Sequence, residues 1–163
     1  MVTYNAYDPR WDIREKIGFK VDYNNDDVDE YVINVLDDNN DVVSIPLLIP
    51  GETQGSDLYN MPYIEMVLIS APANIHNVTG NVREQEAYID FNIWYTNTDN
   101  ITPNKFGYTA ASRVVDLIMT YRHSVTSVDL LEVIDEGREI IEHPTGKQPS
   151  FHRVLEIYCK KFG

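Results

Sequence analysis

Residues 86–96 read EAYIDFNIWYT, and residues 106–121, FGYTAASRVVDLIMTY, follow after a polar linker. Ala87, Ile89, Phe91, Ile93 and Tyr95 alternate with Tyr88, Asp90, Asn92, Trp94 and Thr96. Side chains point to opposite faces along a strand, so this segment predicts a strand with one apolar and one mixed face. The mixed face carries two large aromatics, Tyr88 and Trp94. In the second segment Phe106, Ala110, Val114, Leu117, Ile118 and Tyr121 recur with a 3.6-residue period, which predicts an amphipathic helix needing a sheet beneath it. Thr102-Pro103 reads as its start, with Pro at the first helical position.

Working outward, Asp8-Pro9 opens a short helix reaching toward Phe19. Tyr31, Ile33 and Val35 alternate, as do Val43, Ile45, Leu47 and Ile49, on either side of the Asp/Asn cluster 37–41. This predicts an acidic β-hairpin with strands near 30–36 and 42–49 that protrudes from the body. Pro46 lacks a backbone donor, so its strand is expected at a sheet edge or at a bulge. Residues 50–62 read as a loop and 63–71, apolar on both faces, as a central strand. The stretch 126–142 is interrupted at Gly137 and reads as two short strands. A final strand over 151–159 places Phe151, Arg153, Leu155, Ile157 and Cys159 on one face, and His152, Val154, Glu156 and Tyr158 on the other. The fold class is thus α+β in a single domain over 1–163: a mixed or antiparallel sheet of about four to six strands, flanked by two or three helices.

With 163 residues the chain is long enough for a substantial core. Its net charge of −13 argues against a phosphate-gripping surface, since nucleic acid is held by clustered Lys and Arg. The single cysteine, Cys159, allows no internal disulfide and reads as a core residue. No basic-then-apolar leader and no apolar run of membrane length is visible, so folding in the cytosol without a membrane partner is expected.

Candidate chemistry is sparse. Asp37, Asn39 and Asp41 occupy the first ligand positions of an EF-hand, but Val42 stands where Gly is needed and Leu48 where a bidentate Glu is needed. Asp22, Asn24 and Asp26 fail at Asp27 and Ile33 in the same way. The favoured reading of both clusters is a solvated turn. His76, His123, His143 and His152 are scattered, with no HExxH pair. No nucleophile elbow or phosphate-binding glycine loop is present. The expectation is therefore a non-enzyme without cofactor or metal. Tyr88 and Trp94 read first as core aromatics covered by the helix, and second as anchors for a partner on one sheet face.

The strand ending Ile93-Trp94-Tyr95, the helix with Ala110, Ala111 and Val114, and the closing strand opening His152-Arg153-Val154-Leu155 together resemble the tail-terminator (tail-completion) proteins of tailed phages and related archaeal viruses. The resemblance covers about 75 residues. It implies an α+β subunit of a ring, usually of six copies, at the head–tail junction of the virion. Such a ring is assembled in the host cytoplasm, ends the tail tube, docks on the head connector or adaptor and lets DNA pass without specific binding. The long region 21–61 departs from the pattern and suits a head-closure or adaptor component equally. The resemblance and the charge place Asp26, Asp27, Asp29, Asp37, Asp38 and Asp41 as candidates for the channel or its rim. The hairpin 30–49 with Pro46, and the loop 50–62, are candidates for the contact between copies. Outside a virus, the same acidity suits a module that binds a basic protein.

Overall fold

The computed structural model describes residues 7–50, 61–70, 73–75, 83–135, 137, 139–142 and 149–162. Among these residues, two α-helices, α1 (Arg10–Ile17) and α2 (Pro103–Tyr121), accompany nine strands: β1 (Phe19–Val21), β2 (Glu30–Leu36), β3 (Val42–Leu48), β4 (Tyr63–Ser70), β5 (Ala73–Ile75), β6 (Arg83–Thr96), β7 (Leu130–Asp135), β8 (Glu139–Glu142) and β9 (Ser150–Phe162). The strands form one sheet in the order β1-β2-β3-β4-β6-β9-β7, with β5 also on β6 and β8 also on β9. All pairings are antiparallel except β3–β4, so the sheet is mixed.

The expected strand count of four to six is therefore too low. Three-residue strands such as β1 and β5 have no periodicity to read, and they exist because neighbouring strands offer them a ladder. The 30–36 and 42–48 segments pair antiparallel around the 37–41 turn. That turn lies against the body instead of protruding. The Asp38 carboxylate accepts hydrogen bonds from the Thr102 amide at 2.8 Å and hydroxyl at 2.7 Å, and the Asn39 amide donates to Asn100 Oδ1 at 2.9 Å. The expected edge strand around Pro46 is also corrected. β3 lies between β2 and β4, but its ladder to β4 begins only at Leu47, so no donor is required of Pro46 on that side.

Among the described elements both helices pack on one face of the sheet. α2 presents Phe106, Ala110, Val114, Leu117 and Ile118 to a floor that includes Ile33, Ile45, Ile64, Phe91, Ile93 and Leu155, all buried. Full burial of each large side chain contributes about 1.5–3 kcal/mol, which makes this layer the main source of stability. Helix and sheet meet closely at Gly107, where a Cβ would stand 2.1 Å from the Tyr95 hydroxyl. α1 adds Ile13 and Ile17 to the same core. It is anchored through Arg10, which pairs with Asp8 at 2.7 Å and donates to the Met66 carbonyl at 3.0 Å. Burial raises the Asp8 carboxyl's affinity for its proton, but the bonds from Arg10 outweigh that and lower its pKa. Burial likewise pushes the Cys159 thiol up to about 12, so it stays protonated in the core.

β7 and β8 run along the same side of β9 and act as one interrupted edge strand. The interruption lies at Gly137, with φ +74° and an added Cβ only 1.4 Å from the Val154 carbonyl oxygen. Only glycine fits so close a backbone approach in that conformation.

Candidate partner-binding face

The helices cover the Ala87–Tyr95 face of β6, so Tyr88 and Trp94 stand on the opposite one. The expectation that α2 covers them is overturned by this geometry. Alternation along β6 and β9, locked by thirteen register pairs from Glu84↔Phe162 to Thr96↔Ser150, arranges this second face in rows. Each row contains the residues that occupy one level across the sheet.

The first row is aromatic. Tyr63, Trp94 and His152 are cross-strand neighbours, with ring centroids 6.5 Å apart for Tyr63–Trp94 and 4.3 Å for Trp94–His152. Leu48, Tyr23 and Met61 pack around the Tyr63–Trp94 end. Burial lowers the His152 pKa, against the opposing pull of Glu142, whose carboxylate is 3.8 Å from Nδ1.

Further along comes an acidic row, Asp90↔Glu156↔Asp135. Burial, a hydrogen bond with Glu156 and the charges of Glu156 and Asp135 together raise the Asp90 pKa to about 6. Like charges directly opposite on a sheet destabilise it, so Asp90 holds a proton below that value. Glu65, on the same face one level toward the aromatic row, is also raised by burial.

The next row pairs Tyr88 with Tyr158 at 5.2 Å between ring centroids and ends at exposed Glu132. The Tyr158 hydroxyl donates to Glu86 at 2.9 Å, and burial with this bond pushes its pKa to about 12. Lys160 then bridges Glu84 at 2.9 Å and Glu86 at 4.0 Å. The face thus combines partly buried aromatics with a surplus of carboxylates. That combination suits protein contact: aromatics supply apolar area and a stacking surface, and carboxylates select cationic groups.

The acidic channel candidates fall into two groups separated by the length of β2, roughly 20 Å for its seven residues. Asp26, Asp27 and Asp29 are exposed on the turn between β1 and β2. Asp22 accepts from the amides of Asp26 and Asp27 there, and Asp22, Asp26 and Glu30 bring one carboxylate oxygen each within 4.8 Å of one another. This is the place among the described residues where acidic side chains could approach a cation together. In the second group Asp41 is exposed, Asp38 is held by Thr102, and Asp37 is 9% exposed with its carboxylate accepting from the amides of Asn39 and Asp41. Pro46 is buried opposite Val32. Most of the 50–62 loop, with His76 and His143, lies outside the described residues. His123 is exposed near the end of α2 and His152 stands beside Trp94.

Sequence reasoning found Tyr88 and Trp94 but missed Asp135, Glu132 and Glu156 as their companions. Their convergence depends on β7–β9 register, which no local pattern reveals. None of the described helices is long and apolar enough to cross a membrane. Comparison with known proteins gives no matching family model and no matching curated protein.

Proposed function

We propose that this chain is a structural subunit of the head–tail junction of a tailed virus, a tail terminator that assembles into a ring, ends the tail tube and docks it to the head connector. The observation that carries this reading is the aromatic and acidic sheet face opposite the helices, a surface suited to protein contact. The strand, helix and closing strand that carry the family resemblance also pack into one unit, with α2 lying on β6 and β9. The acidic surface agrees with passage of DNA, because exposed carboxylates repel phosphate and lower its residence on the wall. Light scattering with negative-stain imaging, alone and with assembled tail tubes, tests the proposal. A closed ring on or off the tube is expected, and a chain that stays monomeric in both conditions overturns it.

A second reading is a module that binds a basic protein partner as a monomer or dimer. It is favoured by the Asp90–Glu156–Asp135 row, where a Lys or Arg could replace the Asp90 proton. Saturable one-to-one binding of a lysine-rich peptide by a monomer supports this second reading over the ring.

A further inference from the structure

The outer edge of β2 is covered for only part of its length. β1 pairs with Glu30, Tyr31 and Val32 and begins at Phe19, because Gly18 still belongs to the end of α1, its amide donating to the Arg14 carbonyl at 2.9 Å. Among the described residues no strand continues this line, so residues 33–36 have a free outer side. Pro46 decides which backbone groups point there. It has no amide to donate, so Val32↔Pro46 is a pair without ladder hydrogen bonds, and by alternation so are Asn34↔Ser44 and Leu36↔Val42. The amides and carbonyls of Asn34 and Leu36 are therefore turned away from β3. The Asn34 carbonyl accepts from Nε of Arg113 at 3.2 Å, a side-chain donor standing where the amide of an added strand would stand. A groove of about 470 Å³ lies along this edge, with Asn34 and Leu36 on one side and Tyr108, Thr109 and Ser112 of α2 on the other. Arg113 is shared with a second pocket of about 200 Å³ at the start of β1, which takes in Lys16, Gly18 and Phe19. Lys16 and Arg113 are the charged residues lining this second pocket, and neither forms an ion pair among the described residues. Asp116, the carboxylate of the larger groove, does not line it.

We infer that this edge binds the free C-terminus of a partner protein as a strand added antiparallel to β2, with the terminal carboxylate held by Lys16 and Arg113. Charge sets the direction. An antiparallel strand runs from Leu36 toward Phe19 and brings its carboxyl end to the two cations, whereas a parallel strand would bring an ammonium there. β1 sets the length. Phe19 lies in the same line, opposite Val32, so the added chain must stop at Asn34, which a chain end does without a turn. The last residue of the partner, opposite Asn34, donates its amide to the Asn34 carbonyl in place of Arg113 Nε. Its carboxylate accepts from the Asn34 amide, the released guanidinium and the Lys16 ammonium. The third-last residue exchanges the equivalent two bonds with Leu36. Strand alternation puts these two side chains on the face away from the helices, between exposed Leu36 at one end and exposed Phe19 at the other, which selects apolar residues. The second-last side chain faces α2 at Tyr108 and Thr109. The site is complete within one copy of the chain and does not depend on the ring reading.

The test uses the full chain and a pool of fluorescent hexapeptides with free C-termini, randomised over the last three positions. Retained peptides are expected to carry apolar residues at the last and third-last positions. For the tightest of them, amidation of the carboxylate and N-methylation of the last amide should each raise Kd roughly tenfold or more. N-methylation of the second-last amide, which points away from β2, should change Kd by less than about threefold. Lys16→Gln and Arg113→Gln, each checked for folding by circular dichroism, should weaken the free acid roughly fivefold or more and the amidated peptide much less. Exchange of the Asn34 and Leu36 amides should slow in the complex. Failure of the chain to retain any peptide of the pool, or binding indifferent to amidation or to the position of the N-methyl group, overturns the proposal. Because modification of the peptide leaves the protein untouched, loss of folding cannot imitate the expected pattern.

Discussion

Trp94 and His152 stand opposite one another across the β6–β9 ladder, with ring centroids 4.3 Å apart and planes inclined by 33°. The indole therefore reports on the imidazole. Burial lowers the His152 pKa, so the unfolded chain takes up this proton before the folded chain does. Stabilisation by the neutral ring is present above the unfolded value and is lost as pH falls through it toward the folded one. In a Trp11→Phe background, Trp94 emission is expected to change with a midpoint below the ordinary histidine value of about 6.5. The transition should vanish in His152→Gln. A midpoint at or above 6.5 contradicts the geometry.

Removing the indole should also weaken the sheet. Trp94 is partly buried and stacks between Tyr63 and His152. Aromatic pairs add about 0.5–1.5 kcal/mol beyond burial, so Trp94→Ala is expected to cost about 2–3 kcal/mol in urea unfolding, and Trp94→Phe less than half of that.

Asp90 offers a stabilising substitution. Its folded pKa, about 6, lies above the unfolded one. The sign is therefore opposite to that of a salt-bridged carboxylate. The contribution of the protonated group is full below the unfolded pKa and is lost as pH rises through about 6. Asp90→Asn keeps the neutral state at every pH. It is expected to stabilise the protein at pH 8 by about 1 kcal/mol, after discounting for solvent screening, and to have little effect below pH 5. Equal effects at both pH values in urea titrations would contradict the raised Asp90 pKa.

Asp38 tests the attachment of the turn to α2. It accepts both the amide and the hydroxyl of Thr102, the residue preceding the first turn of the helix. Asp38→Ala is expected to cost about 1 kcal/mol and to speed amide exchange in the first turn of α2, with no change in the β6–β9 ladder.

The close approach at Gly107 can be read as a coupling. An added methyl meets the Tyr95 hydroxyl first and the Cζ beneath it at 2.6 Å. Gly107→Ala is expected to destabilise by about 2–3 kcal/mol despite the better helix propensity of alanine. Tyr95→Phe in the same chain should recover part of the loss, giving a non-additive double-mutant cycle in thermal unfolding.

The long periodic elements were legible because each satisfies its own pattern. The alternation of 86–96 and 151–159, and the stripe from Phe106 to Ile118, appear as β6, β9 and α2. Which face the helix covers was not legible for Trp94. Tyr88 and Trp94 are as hydrophobic as the residues on the buried face, and only the paired rows of β4 and β9 decide the matter. Pro46 misled because parallel pairing of β3 with β4 depends on the distant segment beginning at Tyr63, and that ladder starts just beyond the proline. In the acidic turns Asp22 and Asp37 accept nearby backbone amides. The carboxylate row at Asp90 was hidden, since its members are 45 residues or more from Asp90 in sequence.

Gly137 has a consequence for crowding. A long, regular outer strand would invite another molecule to zip onto it, and then another, without limit. The break at Gly137, where the chain presses against Val154, divides that template into two shorter pieces on the same side of β9. A chain produced in many copies would thereby stay dispersed until its proper neighbour arrives, and replacing this one glycine would be felt first as turbidity in concentrated solution.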